Sequence, residues 1–378
     1  MWPLSVTERT AATIAAVETT TVTARAKPSL RIRGARTVHD ASTFVLVRVL
    51  TDEGVEGYGE VSATAAWSGE DAVTATHFVR DVFGPLLRGR PLAEIEAHST
   101  ELDRVVRGNW FTKAGINTAL WDALGHTLGL SVAALLGGPH RREVPVKISL
   151  SGDGDDLRAS YETAFGLGFR SFKVKVGKDP AADAARIALA RELAGADALI
   201  GADANGGWSL PEALATVPVL AESAIAFIEQ PVGADDLDGL RAVRELGVPL
   251  IADESVYSPA DVLRVGRAEA ADIVSIYVGK SSALERAVES ARLAGELGMD
   301  VVIGSNGELD LGAAAQLHVA CACERIAAIP HGIIGHHFYE EDATLVTPLD
   351  IDGLVARLPE GPGLGVRPSE AVRRSFSS

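Results

Sequence analysis

The chain has 378 residues, a formal charge of −16 and 47% apolar residues. That length holds one β/α barrel, about 250 residues by itself, with a smaller domain beside it. The acidity argues against nucleic acid and anionic membrane surfaces as partners, and no apolar run is long enough to span a bilayer. Nothing at the amino end joins a basic start to an apolar block, as a secretory signal would. Cys321 and Cys323, the only cysteines, stand two apart on a predicted helix and cannot face each other, so neither a disulfide nor a metal site is expected. They read as small core residues, in keeping with a reducing cytoplasm.

Residues 1–12 are polar and unpatterned and are expected to form a disordered extension. Thr13 to Ala26 alternates and is rich in Thr and Val, as in an edge or hairpin strand. Ser42 to Leu50 is apolar and β-branched, and Thr51-Asp-Glu-Gly54 turns it back into Val55 to Val61. Helices are expected over 69–87, 92–107 and 112–128, broken at Gly84-Pro85 and Gly89-Arg-Pro91. Strands followed by helices make residues 13–135 an α+β unit.

A different rhythm follows. Val144 to Leu150 reads as a first barrel strand, and four apolar runs ending in polar groups come next: Phe172 to Gly177, Gly201 to Asn205, Phe227 to Pro231 and Ile251 to Ser255. Such runs are typical of parallel strands buried on both faces. From Lys173 to Asp203 is 30 residues, from Asp203 to Glu229 is 26, and from Glu229 to Asp253 is 24, room for a helical crossover each time. Helices are expected over 182–193 and 282–297. Ile273 to Val278, Met299 to Gly304 and Ile326 to Pro330 supply strands six to eight, completing a barrel over 136–340. Residues 341–378 return to β-type alternation over 345–354 and are expected to pack back on the first unit.

Polar groups at the carboxyl ends of barrel strands face the mouth where β/α barrels build active sites. Asp203, Glu229 and Asp253 put three carboxylates there. One acid at a strand end is more often a helix cap or a solvated loop residue. Three on consecutive strands repel one another and call for a cation, and an all-oxygen set suits Mg²⁺. Lys173 and Lys175, two apart on a strand, point to the same face. A lysine beside a divalent cation and a second ammonium is a usable general base. The residue types therefore point to proton abstraction next to a carboxylate.

These motifs resemble the enolase superfamily in its muconate lactonizing (muconate cycloisomerase) subgroup. The resemblance runs from about Ile14 to about Val366 and rests on Lys173-Val-Lys175, Asp203-Ala-Asn205, Glu229-Gln-Pro231 and Asp253-Glu-Ser255. Gly57-Tyr-Gly59-Glu60 and Pro359-Glu-Gly-Pro-Gly-Leu-Gly365 support it. It implies an α/β fold: a modified TIM (β/α) barrel with an N-terminal α+β capping domain that closes over the barrel mouth. It implies Asp203, Glu229 and Asp253 as ligands of Mg²⁺ (Mn²⁺ being the alternative), Lys175 as acid/base catalyst, and Lys173 as the contact to the bound carboxylate. It also implies a homo-oligomer acting on a small-molecule carboxylate.

The capping domain's two specificity loops would fall near 29–42 and 62–70. They hold Arg31, Arg33, Arg36, His39 and Trp67. The arginines are either grips for a distal carboxylate or phosphate, or solvated charges. Trp67 is costly in a polar loop unless it packs, on protein or on substrate. Asn205, Glu308, Trp67, Arg33 and Lys280 are taken as the substrate contacts, Glu308 because the family places an acid in this segment. His331, His336 and His337 are read as loop residues.

One departure stands out. Many members of the family carry a second catalytic lysine on the sixth strand, opposite the Lys-x-Lys pair. Here that position is Tyr277, and Lys280 follows three residues on. Two lysines across a substrate permit racemisation, whereas one serves lactonisation or syn elimination of water. The expectation is thus an isomerase of cycloisomerase type. The alternatives are a hydroxy-acid or acid-sugar dehydratase, a racemase or epimerase with Tyr277 as second acid/base, and a non-catalytic binding protein.

Overall fold

Three antiparallel strands open the chain, Ile14–Arg25, Ala41–Thr51 and Glu56–Val61, with the second in the middle. The structure, a computed structural model, describes residues 11–35, 38–342 and 344–376. Helix Trp110–Leu128 lies across this sheet, and the Gly57-Tyr-Gly59 motif shows why it fits. A Cβ on Gly59 would stand 2.0 Å from the Gly115 carbonyl oxygen, and one on Gly57 2.2 Å from that of Ala119. The strand backbone itself is the surface on which the helix sits. Tyr58, between them, turns to the other side and packs on Phe376, ring centroids 5.8 Å apart.

The expected helix over 69–87 is broken differently. It runs as Ala72–His77, a wide turn over Phe78–Phe83, and Gly84–Leu87. Pro85 has no N–H to give the preceding turn, and the chain widens where that bond is lost. Ile95–Val105 follows.

The second unit is the barrel. Seven parallel strands lie side by side in chain order: Ile148–Leu150, Ser171–Lys175, Leu199–Asp203, Ile228–Glu229, Leu250–Ala252, Ile273–Ile276 and Asp300–Ile303. Helices Asp155–Gly166, Pro180–Ala194, Leu210–Ala221, Leu237–Arg244, Pro259–Arg267, Leu284–Glu296 and Asp310–Ala322 cover the outside. Gly201 is needed on the inside, because a Cβ there would fall 2.0 Å from the Phe227 ring. Phe227, Ile251, Ile273, Val302 and Ala327 fill the closed end with apolar side chains.

Three expectations are corrected. Val144 to Leu150 is not one strand: Glu143–Pro145 pairs antiparallel with Val355–Arg357 outside the barrel, and only Ile148–Leu150 joins it. The alternating run 345–354 is irregular, and the strand falls just after it. The eighth strand does not form over 326–330. Instead Ala327 N–H donates to Val301, Gly332 N–H to Ile303, His331 N–H to Pro145 and Lys147 N–H to His331, at 2.7–2.9 Å, and these bonds close the ring. Pro330 in this segment has no N–H for a regular ladder. Beyond 358 the chain makes contacts with the first unit: Val132 N–H donates to Gly363, and Arg373 pairs with Glu56 at 2.9 Å.

The two units are bolted together by polar groups, one buried and one half-buried. Glu60 accepts from the N–H of Leu309 and Gly312 at 2.9 and 2.8 Å, capping the helix after the seventh barrel strand. Lys27 donates to the carbonyls of His336, His337 and Tyr339.

Candidate active site

The cavity lies at the carboxyl ends of the barrel strands, beneath the first unit, and encloses about 120 Å³. On the second strand Phe172 and Val174 are buried toward the helices, so strict alternation turns Lys173 and Lys175 inward. Parallel pairing sets Lys175 level with Asp203, Asp203 with Glu229, and Glu229 with Ile251, two residues before Asp253. All five of these lysine and acid side chains line the cavity.

They are already interlocked. Lys173 Nζ stands 2.9 Å from Asp203 Oδ2 and 2.8 Å from Glu229 Oε1. Lys175 Nζ donates to Asp203 Oδ2 at 2.6 Å and to Asn205 Oδ1 at 3.0 Å. Asn205 donates onward to Glu254 at 3.0 Å. Asn205 thus orients Lys175 as well as lining the cavity. Burial works against the Lys173 ammonium, but Asp203, Glu229 and Asp253 outweigh it and raise its pKa above the usual lysine value. Burial likewise opposes the Asp203 carboxylate, and Lys173 and Lys175 overcome that and hold it below the usual range. Burial lifts the Glu229 carboxyl; Lys173 opposes the lift, while Asp203 and Asp253 add to it. Burial, then Asp253 and Asp203, push Glu254 up to about 8.

Among the described residues, no three His, Cys, Asp or Glu side chains stand ready-made around a metal position. The donor set nevertheless suits a hard cation. A positive group, the Lys173 ammonium, occupies the gap between two of the acids, and Glu229 is still pushed up by burial and then by its acidic neighbours. Asp203, Glu229 and Asp253 would hold the ion.

The opposite side of the cavity is aromatic. Tyr277 and Trp67 line it, with ring centroids 5.6 Å apart. Trp67 also meets Phe111 edge-on at 5.8 Å and Tyr257 at 5.6 Å. Its loop is pinned twice. Glu70 accepts from Phe111 N–H, Thr112 N–H and the Thr112 hydroxyl at 2.7–3.0 Å, and Asn306 donates to the Ser62 carbonyl at 2.5 Å. Burial, reinforced by Asp253, raises the Tyr277 phenol well above its usual pKa, so it keeps its proton.

Several expected contacts lie elsewhere. Lys280 sits in a short helical turn, Val278–Ser281, and spends its donors on Asp253 Oδ1 (2.6 Å), the Asp253 carbonyl (2.7 Å) and the Ser275 carbonyl (2.7 Å). It supports Asp253 and lies 4.3 Å from the Tyr277 ring centroid. Glu308 does not line the cavity; it accepts from Ser62, Ser305 and the Asn306 N–H, fastening the two loops. Arg33 pairs with Asp156 and is half exposed, and Arg31 pairs with Asp40; among the described residues of that loop Ile32 and Gly34 reach the cavity. Arg36 and the side chain of His39 lie outside the described residues. His331 is buried in the barrel wall, its Nδ1 accepting from Ile303 N–H at 2.9 Å.

Sequence reasoning missed Lys147, Ser149 and Asn306, which also line the cavity. For the first two a signal existed: they share the inward parity of the first strand, and Ser149 is directly opposite Lys173. Asn306 lies in a loop whose path no periodicity predicts.

The chain matches the family described as "Mandelate racemase / muconate lactonizing enzyme, N-terminal domain" over residues 16–137 and "Enolase C-terminal domain-like" over residues 156–372. It belongs to the enolase superfamily, on its muconate-lactonizing-enzyme side. It is 35% identical over 338 residues to muconate cycloisomerase 1 of Rhodococcus opacus, covering 88% of this chain and 90% of that protein. It is 31% identical over 343 residues to L-Ala-D/L-Glu epimerase of Bacillus subtilis, again covering 88% and 90%. A solved dipeptide epimerase of Cytophaga hutchinsonii, complexed with Mg and the dipeptide D-Ala-L-Val, superposes with a TM-score of 0.91 at 28% identity, covering 97% of this chain and 98% of that one.

Proposed function

We propose that this chain is a Mg²⁺-dependent isomerase of cycloisomerase type, which makes and quenches the enediolate of a small unsaturated carboxylate with Lys175 as the proton carrier; Mn²⁺ is an alternative ion. The carrying observation is the asymmetry of the cavity. Both proton-bearing lysines stand on one side among the acids, and the other side presents a phenol that holds its proton. The likeness to muconate cycloisomerase 1 supports lactonisation over the two-base chemistry suggested by the epimerase relatives.

In lactonisation a carboxylate oxygen adds to a carbon–carbon double bond, and the electron pair moves toward the other carboxyl group. The bound cation would supply charge to hold that enediolate. Lys175 then gives its proton to the α-carbon and is reprotonated from solvent, so the carboxylate substrate takes up one proton; counted as their neutral acids, substrate and product are isomers. Asp203 and Asn205 hold the ammonium from below, which fixes the face protonated. Lys173, which bridges Asp203 and Glu229, would meet the substrate carboxylate once a cation takes that gap. Trp67 and Tyr277 cover the face away from Lys173 and Lys175.

The test is NMR of cis,cis-muconate and its analogues in D₂O with Mg²⁺, for wild type and Lys175→Ala. We expect a lactone carrying deuterium on one face only, and a loss of about 10³-fold or more in the variant with an unchanged melting temperature. Lactone formation that survives either Lys175→Ala or chelator sinks the reading. Lysine-dependent exchange of an α-proton in some other acid, with muconates inert, would keep the enediolate chemistry and reject lactonisation.

A further inference from the structure

Three lysines are buried: Lys113, Lys147 and Lys280, exposed by 3%, 4% and 1%. Two have carboxylates at hand, Lys113 with Asp103 at 2.8 Å and Lys280 with Asp253 at 2.6 Å. Among the described residues Lys147 has no ion-pair partner. Its ammonium donates to the Pro330 carbonyl, on the segment that closes the barrel, and lies 5.5 Å from the Phe227 ring centroid. Burying an ammonium without a counter-ion costs several kcal/mol, and an apolar side chain of the same length would fill the space without that penalty. Lysine is almost never fully buried unless paired. The exception lies on the wall of the cavity.

Its position gives the charge a task. Ser149 is opposite Lys173, so Lys147 stands one inward layer deeper, toward the apolar floor. The charged groups whose fields reach it are Lys173 on the second strand, Asp203 on the third, Glu229 on the fourth and Asp253 on the fifth; His331, on the closing segment, is adjacent and feels its charge. Lys173 occupies the gap between Asp203 and Glu229 and has to give way when a cation enters. An ammonium on the floor blocks retreat in that direction by charge and by bulk. Lys173 is left to move toward the mouth, where a substrate carboxylate would meet it.

We infer that Lys147 is a positioning residue that sets the charge of the site: from beneath Lys173 it weakens the grip of the three acids on a divalent cation and keeps Lys173 directed toward the substrate. This rests on the cation reading above. Burial and then Lys173 bring Lys147 down to about 7, so it still carries its proton at slightly acidic pH.

Calorimetric titration of the full-length protein with MgCl₂ at about pH 6 tests it, with Lys147→Met, Lys147→Gln and Lys147→Arg beside wild type. Both neutral variants should bind Mg²⁺ about tenfold more tightly, because a like charge close to a buried ion acts through a low local dielectric. Lys147→Arg, which keeps the charge, should stay within about twofold of wild type. A merely structural lysine gives the reverse: weaker binding in every variant, as the floor loosens. Unchanged or weaker binding in Lys147→Met, or tightening in Met but not Gln, overturns the inference while leaving the cation reading intact. No Mg²⁺ uptake by wild type overturns that reading, and this inference with it.

Discussion

The barrel and the cap build one cavity by opposite means. The barrel places its groups by register: the lysines and acids lie on or just after parallel strands, and hydrogen bonding to the next strand sets their height. The cap places Trp67 by loops, and those loops are held by a few hydrogen bonds, within the cap and across to the barrel. Glu70 holds the start of helix Trp110–Leu128, and Glu60 holds the start of helix Asp310–Ala322. The chemistry therefore sits where geometry is cheap to specify, and the fit to substrate sits where it depends on a few buried hydrogen bonds. Losing a barrel side chain should remove the reaction and spare the fold, as expected for Lys175→Ala. Losing a cap contact should loosen the fold and leave the acids and lysines in place.

The hardest break on the cap side is Gly59→Ala. The new methyl would meet the Gly115 carbonyl at 2.0 Å, and backbone cannot step aside as a flexible side chain can. Helix Trp110–Leu128 would lift from its strand, taking with it the N–H groups that hold Glu70 and the Trp67 loop. We expect a loss of about 3 kcal/mol in urea unfolding, at the upper end of overpacking effects. A loss below about 1 kcal/mol would mean the helix does not rest on that strand. Surviving protein should still bind Mg²⁺, because the acids belong to the barrel.

The same division explains what the sequence made legible. Parallel strands buried on both faces read as apolar runs, so Asp203, Glu229, Asp253, Lys173 and Lys175 could be assigned to one mouth before any coordinates. Lys147 shares the inward parity of Ser149, but a single lysine on a short strand carries no chemistry by itself, and its burial shows only in the folded barrel. Glu308, expected from the family's acid in this segment, and Lys280, three residues after Tyr277, both fall in loops or short turns after barrel strands. Whether such a residue faces the cavity or its own neighbours depends on loop path, and both face protein acceptors or donors here. The eighth strand and the carboxyl-terminal run failed for a related reason: alternation over five to ten residues does not reveal whether a partner strand is within reach.

A milder break lies at the joint itself. His318, on helix Asp310–Ala322, accepts from Ala133 N–H at Nδ1 (3.0 Å), while its Nε2 bonds to the Leu364 carbonyl (2.9 Å). It thereby ties the end of the cap to the barrel and to the returning chain. Burial brings it down from the usual histidine value of 6.5 to about 4. The unfolded chain takes up a proton as pH falls through about 6.5, and the folded chain refuses it until about 4. Stability should therefore fall across that window and level off below it, by up to about 3 kcal/mol for a shift of this size. Urea unfolding at neutral pH and near pH 4.5 checks this, and His318→Gln, which keeps both hydrogen bonds within reach, should flatten the slope. An equal slope in that variant would assign acid sensitivity to other groups.

The smallest expected effect is the one that sharpens the comparison most. Tyr277 comes from the barrel but stands with the cap's aromatic residues, ring to ring with Trp67 and over Lys280. If it acts as its strand position suggests, it moves a proton; if it acts as its neighbours do, it is wall. Tyr277→Phe keeps the ring and removes only the hydroxyl. A phenol held well above its usual pKa is a poor donor and no base, so turnover should fall by less than about tenfold, with the change falling more on KM than on kcat. A drop of about 10²-fold in kcat would make Tyr277 a proton donor. Deuterium on both faces of product in wild type, lost in Tyr277→Phe, would go further and return the two-base alternative. With neither seen, the sixth strand has given up its chemical role, and the reaction belongs to the lysine side alone.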